Sequence, residues 1–83
     1  MTRPMTVYRR TTCPLCEELL AELEAYPVAV RKVQIDGDRE LEDAYGMRVP
    51  VLVDDATGRE LAEGRLEPTG RERLELLLQE ART

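Results

Sequence analysis

The chain has 83 residues, 42% of them hydrophobic and 35% charged, with a formal net charge of −5 and a pI near 4.7. That length holds one small domain, which buries roughly 60–65% of its unfolded surface on folding, and the composition is that of a globular protein rather than a disordered one. The acidic balance argues against nucleic acid as the main partner; no apolar run approaches the roughly 20 residues of a membrane span, and Arg3 and Pro4 leave no room for a signal-peptide core, so the cytoplasm is the expected compartment.

Met5-Thr6-Val7-Tyr8 has the alternation and β-branched content of a short strand. It runs into Thr11-Thr12-Cys13-Pro14-Leu15-Cys16, which holds both cysteines. From Pro14 onward Cys16, Leu19, Leu20 and Leu23 fall at i, i+3, i+4 and i+7, predicting an amphipathic helix that ends near Tyr26-Pro27. Val28 to Ile35 reads as a second strand, although its alternation changes phase between Val30 and Val33. Asp36-Gly37-Asp38 breaks it, and Asp38 is placed to cap a short helix carrying Leu41, Ala44 and Tyr45 on one face. Gly46 suits the left-handed position after a helix.

Met47 to Val53 reads as a third strand, nearly continuous in apolar residues, with Pro50 suited only to a first or edge position because it cannot donate to a ladder. Asp54-Asp55-Ala56-Thr57-Gly58 has turn chemistry, and Arg59 to Ala62 returns as an antiparallel fourth strand. Gly64 opens a loop. Thr69 and Glu72 have capping-box spacing, Leu74, Leu77, Leu78 and Ala81 form the inner face of a last helix, and Arg82 suits its negative end. The βαβα half of this order points to parallel pairing through a right-handed helical crossover.

Two cysteines without a histidine do not complete a structural zinc site, and in a reducing compartment they are not a structural staple. Their spacing points to redox chemistry. Cys13 falls at the start of a helix, where unpaired N–H groups and the helix dipole favour an anionic sulfur, and Pro14 fits the first helical position. Cys16, one turn on and more enclosed, is placed to resolve what Cys13 attacks. Glu17 and Glu18 oppose thiolate formation. Arg9, Arg10, Arg48 and Arg65 fall in segments expected around the pair, where a locally positive mouth would suit a small anionic thiol such as glutathione; the same residues equally fit an ordinary solvated surface.

The order βαβαββα, with Cys-x-x-Cys at the first strand-to-helix junction and Val-Pro opening the third strand, resembles the thioredoxin superfamily, and most of all its small glutaredoxin-like proteins. Tyr8-Arg9-Arg10-Thr11-Thr12-Cys13-Pro14-Leu15-Cys16 is similar to the glutaredoxin active-site segment, Val33-Gln34-Ile35-Asp36 to its second strand, and Arg48-Val49-Pro50 to its proline loop. The resemblance implies one α/β domain over residues 1–83 with a thioredoxin-like fold, a four-stranded mixed sheet with helices on both faces. It implies a cis peptide between Val49 and Pro50, facing the cysteines. It also implies a thiol–disulfide oxidoreductase with Cys13 as nucleophile and Cys16 as resolving residue, and with Arg10, Pro14, Leu15, Val49, Pro50 and Gly64 at the substrate. Leu15 stands where the family usually has tyrosine, Arg48 where it has threonine, and Arg65 where it has a second glycine after Gly64.

The partners so implied are a disulfide-containing protein or glutathione, the latter as co-substrate with no tightly bound cofactor and no metal, acting on a monomer away from nucleic acid and membrane. Three other readings stay open. The chain could be a non-catalytic thioredoxin-fold binding module, could bind glutathione and an iron–sulfur cluster at a dimer interface, or could reduce an oxyanion such as arsenate through Cys13.

Overall fold

The computed structural model describes residues 2–66 and 69–82. Its elements are β1 (Arg3–Arg9), α1 (Pro14–Leu23), β2 (Val28–Gln34), α2 (Arg39–Tyr45), β3 (Val51–Asp54), β4 (Glu60–Glu63) and α3 (Thr69–Arg82). The strands form one mixed sheet in the order β2-β1-β3-β4. β1 and β2 run parallel through the α1 crossover, while β1–β3 and β3–β4 are antiparallel. This is a thioredoxin-like α/β arrangement.

Strand alternation divides the sheet into two faces. Met5 and Val7 of β1 lie on one face with Leu52 of β3 and Ala62 of β4, in register Val7 to Leu52 to Ala62. Leu19 and Leu23 of α1 and Leu74 and Leu77 of α3 close over them, together with Leu61 and Leu66, as the main core. On the opposite face Tyr8 stacks on Tyr45 of α2, ring centroids 4.2 Å apart and nearly parallel. The phase change in β2 follows from these two layers. Its register with β1 is continuous, so Val28 and Val30 lie on the α1 side, with Leu20, Leu23 and Tyr26 lining the same groove, whereas Val33 lies on the face of Tyr8. The strand is apolar on one side in its first half and on the other in its second.

Several boundaries differ from the sequence reading for local reasons. β1 begins at Arg3 because β2 supplies it a parallel partner from Val28 onward. α1 ends at Leu23, and Glu24, Ala25 and Tyr26 continue with amide bonds to the third residue back, a tightened final turn. β3 starts at Val51 rather than Met47, directly after the proline that lacks an N–H, and Met47 is 99% exposed. Asp38 caps α2, its carboxylate accepting the Leu41 amide at 3.1 Å.

Two expectations fail outright. Gly46 is right-handed, with φ −51° and ψ −38°. Glycine is needed there for space, since a Cβ would fall 2.5 Å from the Glu42 carbonyl oxygen and 3.2 Å from the Arg10 guanidinium. Thr69 is the first residue of α3 rather than its cap, because the turn closes earlier, with the Arg71 amide donating to the Leu66 carbonyl at 2.9 Å; the residue ahead of Thr69 lies outside the described ones. The expectations for Ala81 and Arg82 concern side chains that also lie outside them.

The end of the sheet away from the cysteines is fixed by Asp54. Its side chain is fully buried and accepts Arg3 Nε at 2.7 Å, Arg3 Nη2 at 2.9 Å, the Thr57 hydroxyl at 2.7 Å and the Thr57 amide at 3.2 Å. Arg3, followed by Thr57, holds its carboxyl below the ordinary range against the opposing effect of burial. Thus the first strand and the β3–β4 turn are tied together far from the site.

Candidate functional site

The C-terminal end of β1 delivers the chain to α1 through residues 10–13, and the start of β3 lies at the same end of the sheet, Tyr8 being paired with Val51. Cys13 is the N-cap of α1, in extended conformation, and Pro14 occupies the first turn. A proline there loses no hydrogen bond and carries a helical φ. Cys13 and Cys16 are joined as a disulfide, with Cα atoms 5.2 Å apart. The Cys16 amide donates to Cys13 Sγ at 3.1 Å, so the sulfur takes the place of the oxygen found in most helix caps. Cys13 is half-buried and Cys16 fully buried. Cys13 therefore reaches solvent and Cys16 does not, while Pro14 and Leu15 are exposed beside Cys13.

The Val49–Pro50 peptide is cis. Pro50 is buried and Val49 half-buried. The Gly64 amide donates to the Pro50 carbonyl at 2.7 Å, so the two loops expected at the substrate are joined by backbone; Gly64 has φ +77°, a conformation glycine adopts without strain. Cys13, Pro14, Leu15 and Cys16 thus form one cluster, and Val49, Pro50 and Gly64 a second at the same end of the sheet.

Arg10 is turned to other work. Its guanidinium donates to Asp36 at 3.2 Å, to Glu42 at 2.7 Å and to the Gly46 carbonyl at 3.1 Å, and Glu42 first, then Asp36, keep it more firmly protonated. Asp36 in turn accepts the Thr11 amide at 2.6 Å and the Thr11 hydroxyl at 2.7 Å. The hydroxyl and then the amide of Thr11, with Arg10, hold its carboxyl below the usual carboxylate range. The segment ahead of Cys13 is therefore clamped to the end of β2 and to α2.

The remaining arginines are engaged in the same way. Arg9 pairs with Glu17 at 2.7 Å, Arg48 with Glu60 at 2.7 Å and Glu63 at 3.2 Å, and Arg65 with Glu18 at 3.9 Å. Arg48 also donates to the Ala44 carbonyl at 2.8 Å and lies over the Tyr45 ring, 5.4 Å from its centroid. A positive mouth is not what these residues make, because each guanidinium has a carboxylate against it. Asp36, Glu42 and Gly46 are structural parts of the site; from the sequence Asp36 and Gly46 have only local roles, as a strand break and a helix end, and Glu42 has none. Their pairing with Arg10 spans more than 25 residues and leaves no local pattern.

The profile of the glutaredoxin-like domain (DUF836) matches residues 5–79. The chain belongs to that glutaredoxin-like family. Solved structures agree. The crystal structure of target protein XcR50 from X. campestris is 41% identical, with a TM-score of 0.71 over 90% of this chain and 95% of that one. Its solution structure is 42% identical with a TM-score of 0.63, over 90% and 91%. The solution structure of protein Ne2328 from Nitrosomonas europaea is 32% identical with a TM-score of 0.71, over 81% and 84%. No curated protein matches. A Cys13–Cys16 disulfide within a glutaredoxin-like domain fits a redox role for the Cys-x-x-Cys pair. Among the described residues no helix is long and apolar enough to cross a membrane, and no group of three or more His, Cys, Asp or Glu side chains is arranged to hold a metal ion.

Proposed function

We propose that the protein is a thiol–disulfide oxidoreductase that reduces disulfides with its Cys13/Cys16 dithiol. The observation that carries this reading is the asymmetry of the pair: Cys13 caps α1 within reach of solvent, and Cys16 is enclosed one turn behind it. In the reduced protein the helix N-terminus and the Cys16 N–H both favour a thiolate on Cys13. Glu17 opposes this less than its position suggests, since Arg9 pairs with it.

Cys13 thiolate attacks one sulfur of the substrate disulfide, forming a mixed disulfide and expelling the other sulfur as a thiolate that takes a proton from solvent. Cys16 then gives up its proton and attacks Cys13 Sγ, expelling the second substrate thiolate. Two electrons pass to the substrate, and the Cys13–Cys16 disulfide is what remains. The backbone beside Val49 and Pro50 is the edge against which a substrate strand would lie.

The test is trapping. Reduced Cys16→Ser mixed with a disulfide substrate should accumulate a mixed disulfide on Cys13, seen as an added mass that dithiothreitol removes, while Cys13→Ser should accumulate none. Alkylation of reduced protein against pH should give a Cys13 pKa below the ordinary thiol value of about 8.5. Failure to trap, together with an ordinary or raised pKa, would overturn the assignment.

A further inference from the structure

The ion pairs on the segments that flank Cys13–Cys16 and Val49–Pro50 are unevenly exposed. Arg9 is 12% exposed and its partner Glu17 is 64% exposed; Arg10 is 35% exposed against 39% for Asp36 and 41% for Glu42; Arg48 is 35% exposed against 45% for Glu60 and 56% for Glu63. For Arg9 and Arg48 the cation is the more enclosed partner, Arg10 and its two carboxylates are about equally exposed, and Arg65 is more exposed than Glu18. The guanidiniums of Arg9, Arg10 and Arg48 also give N–H groups to the carbonyls of Arg10, Thr11, Gly46 and Ala44, which leaves them poorly placed to bind a ligand's carboxylate. With Arg65 and Glu18 included, four guanidiniums face six carboxylates. The surroundings of the dithiol are net acidic on a chain that is itself at −5.

The exposed uncharged residues of the two loops are mixed, Thr11 and Thr12 being polar and Pro14, Leu15 and Met47 apolar. Leu15, between the cysteines, is 40% exposed, and Met47, on the approach to Val49 and Pro50, is 99% exposed. Glutathione disulfide is small, polar and anionic, and it meets this surface on unfavourable terms. A polypeptide whose cystine lies among lysines or arginines, with apolar side chains alongside, meets it on favourable ones.

We infer that the Cys13/Cys16 site selects cationic polypeptide disulfides and discriminates against glutathione disulfide, the excess of exposed carboxylates, Glu17, Asp36, Glu42 and Glu63 among them, supplying the selection. This rests on the redox reading above. The exchange is the one already written, with the reduced dithiol supplying both electrons and the peptide disulfide accepting them. Charge acts on encounter and on the mixed disulfide, where surface fields change rates by about 10- to 10³-fold and are screened by salt.

The experiment uses the full chain, reduced with dithiothreitol and desalted, against three disulfide-linked peptides identical except for Lys, Gln or Glu flanking the cystine, and against glutathione disulfide. Each rate is divided by that of dithiothreitol alone with the same substrate, which removes differences in intrinsic disulfide reactivity. At an ionic strength of about 10 mM, where the Debye length is about 30 Å, the normalised rate should follow Lys, then Gln, then Glu, with at least about tenfold between the extremes and glutathione disulfide near the Glu peptide. At about 1 M, where it is about 3 Å, the gap should close to within about threefold. Glu42→Gln combined with Glu63→Gln should shrink the low-salt ratio, a comparison internal to the variant. Equal normalised rates, an inverted order or a ratio insensitive to salt would overturn the selection while leaving the redox reading intact. Absence of exchange with all four substrates would overturn both.

Discussion

Replacing Asp54 with alanine removes the acceptor of four hydrogen bonds from a fully buried position. Taking one partner from a buried ion pair costs about 3–5 kcal/mol. Arg3 is 20% exposed and can recover part of its hydration, so the lower end applies, about 3 kcal/mol. For a domain of this size that lowers Tm by about 12–24 °C. The dependence on pH has a definite sign. Arg3 and Thr57 hold the folded-state carboxyl of Asp54 below its ordinary value of 3.8, so its contribution is complete above that value and is lost as pH falls through the lowered pKa. Urea unfolding of wild type and Asp54→Ala should therefore show a constant gap from pH 7 to 5 that narrows below about pH 4. A gap under about 1 kcal/mol at pH 7, or one that does not narrow down to pH 2, would refute the ion-pair account.

Three further perturbations test the rest of the structure. Gly70→Ala would put a Cβ 2.6 Å from the Ala62 Cβ and 3.2 Å from the Leu61 carbonyl oxygen; it should cost about 1–3 kcal/mol in urea unfolding through overpacking, and Ala62→Gly in the same chain should recover part of the loss. Leu19→Ala, at a fully buried core position, should cost about 2–5 kcal/mol by the same assay. Asp36→Asn should accelerate hydrogen exchange at the Thr11 amide, which the carboxylate accepts at 2.6 Å. In wild type that protection should fall as pH drops below the carboxyl's ordinary 3.8, since Thr11 holds its pKa lower still.

Elements with their own periodicity were legible in the sequence. The leucines of α1 and α3 state a buried face by spacing alone, and Asp38 states a cap by its place before Leu41. What escaped depends on distant partners. Glycine at a helix end usually means a left-handed turn, whereas Gly46 is right-handed and its missing Cβ makes room first for the Glu42 carbonyl oxygen and then for Arg10, a residue that sequence cannot bring near. Gly70 gave no signal, yet it is where α3 meets Ala62 and Leu61 closely. Met47 reads as strand because it is apolar and lies two residues before Val49, and only the missing N–H of Pro50 tells where the ladder starts. For the arginines the sequence leaves a positive mouth and an ordinary solvated surface equally open, and what it does not show is their pairing with carboxylates from α1, α2, β4 and the end of β2.

β2 sits at the border of the sheet, and among the described residues no strand pairs with the backbone groups along its outer side. Such a border invites another chain to add on. Here Arg31 and Lys32, both exposed, stand side by side in mid-strand and point to opposite faces, so a second copy approaching in register would bring like charge against like on either side. The same interruption of alternation that divides the strand between two layers thus also sets like charges against a second copy of this one border.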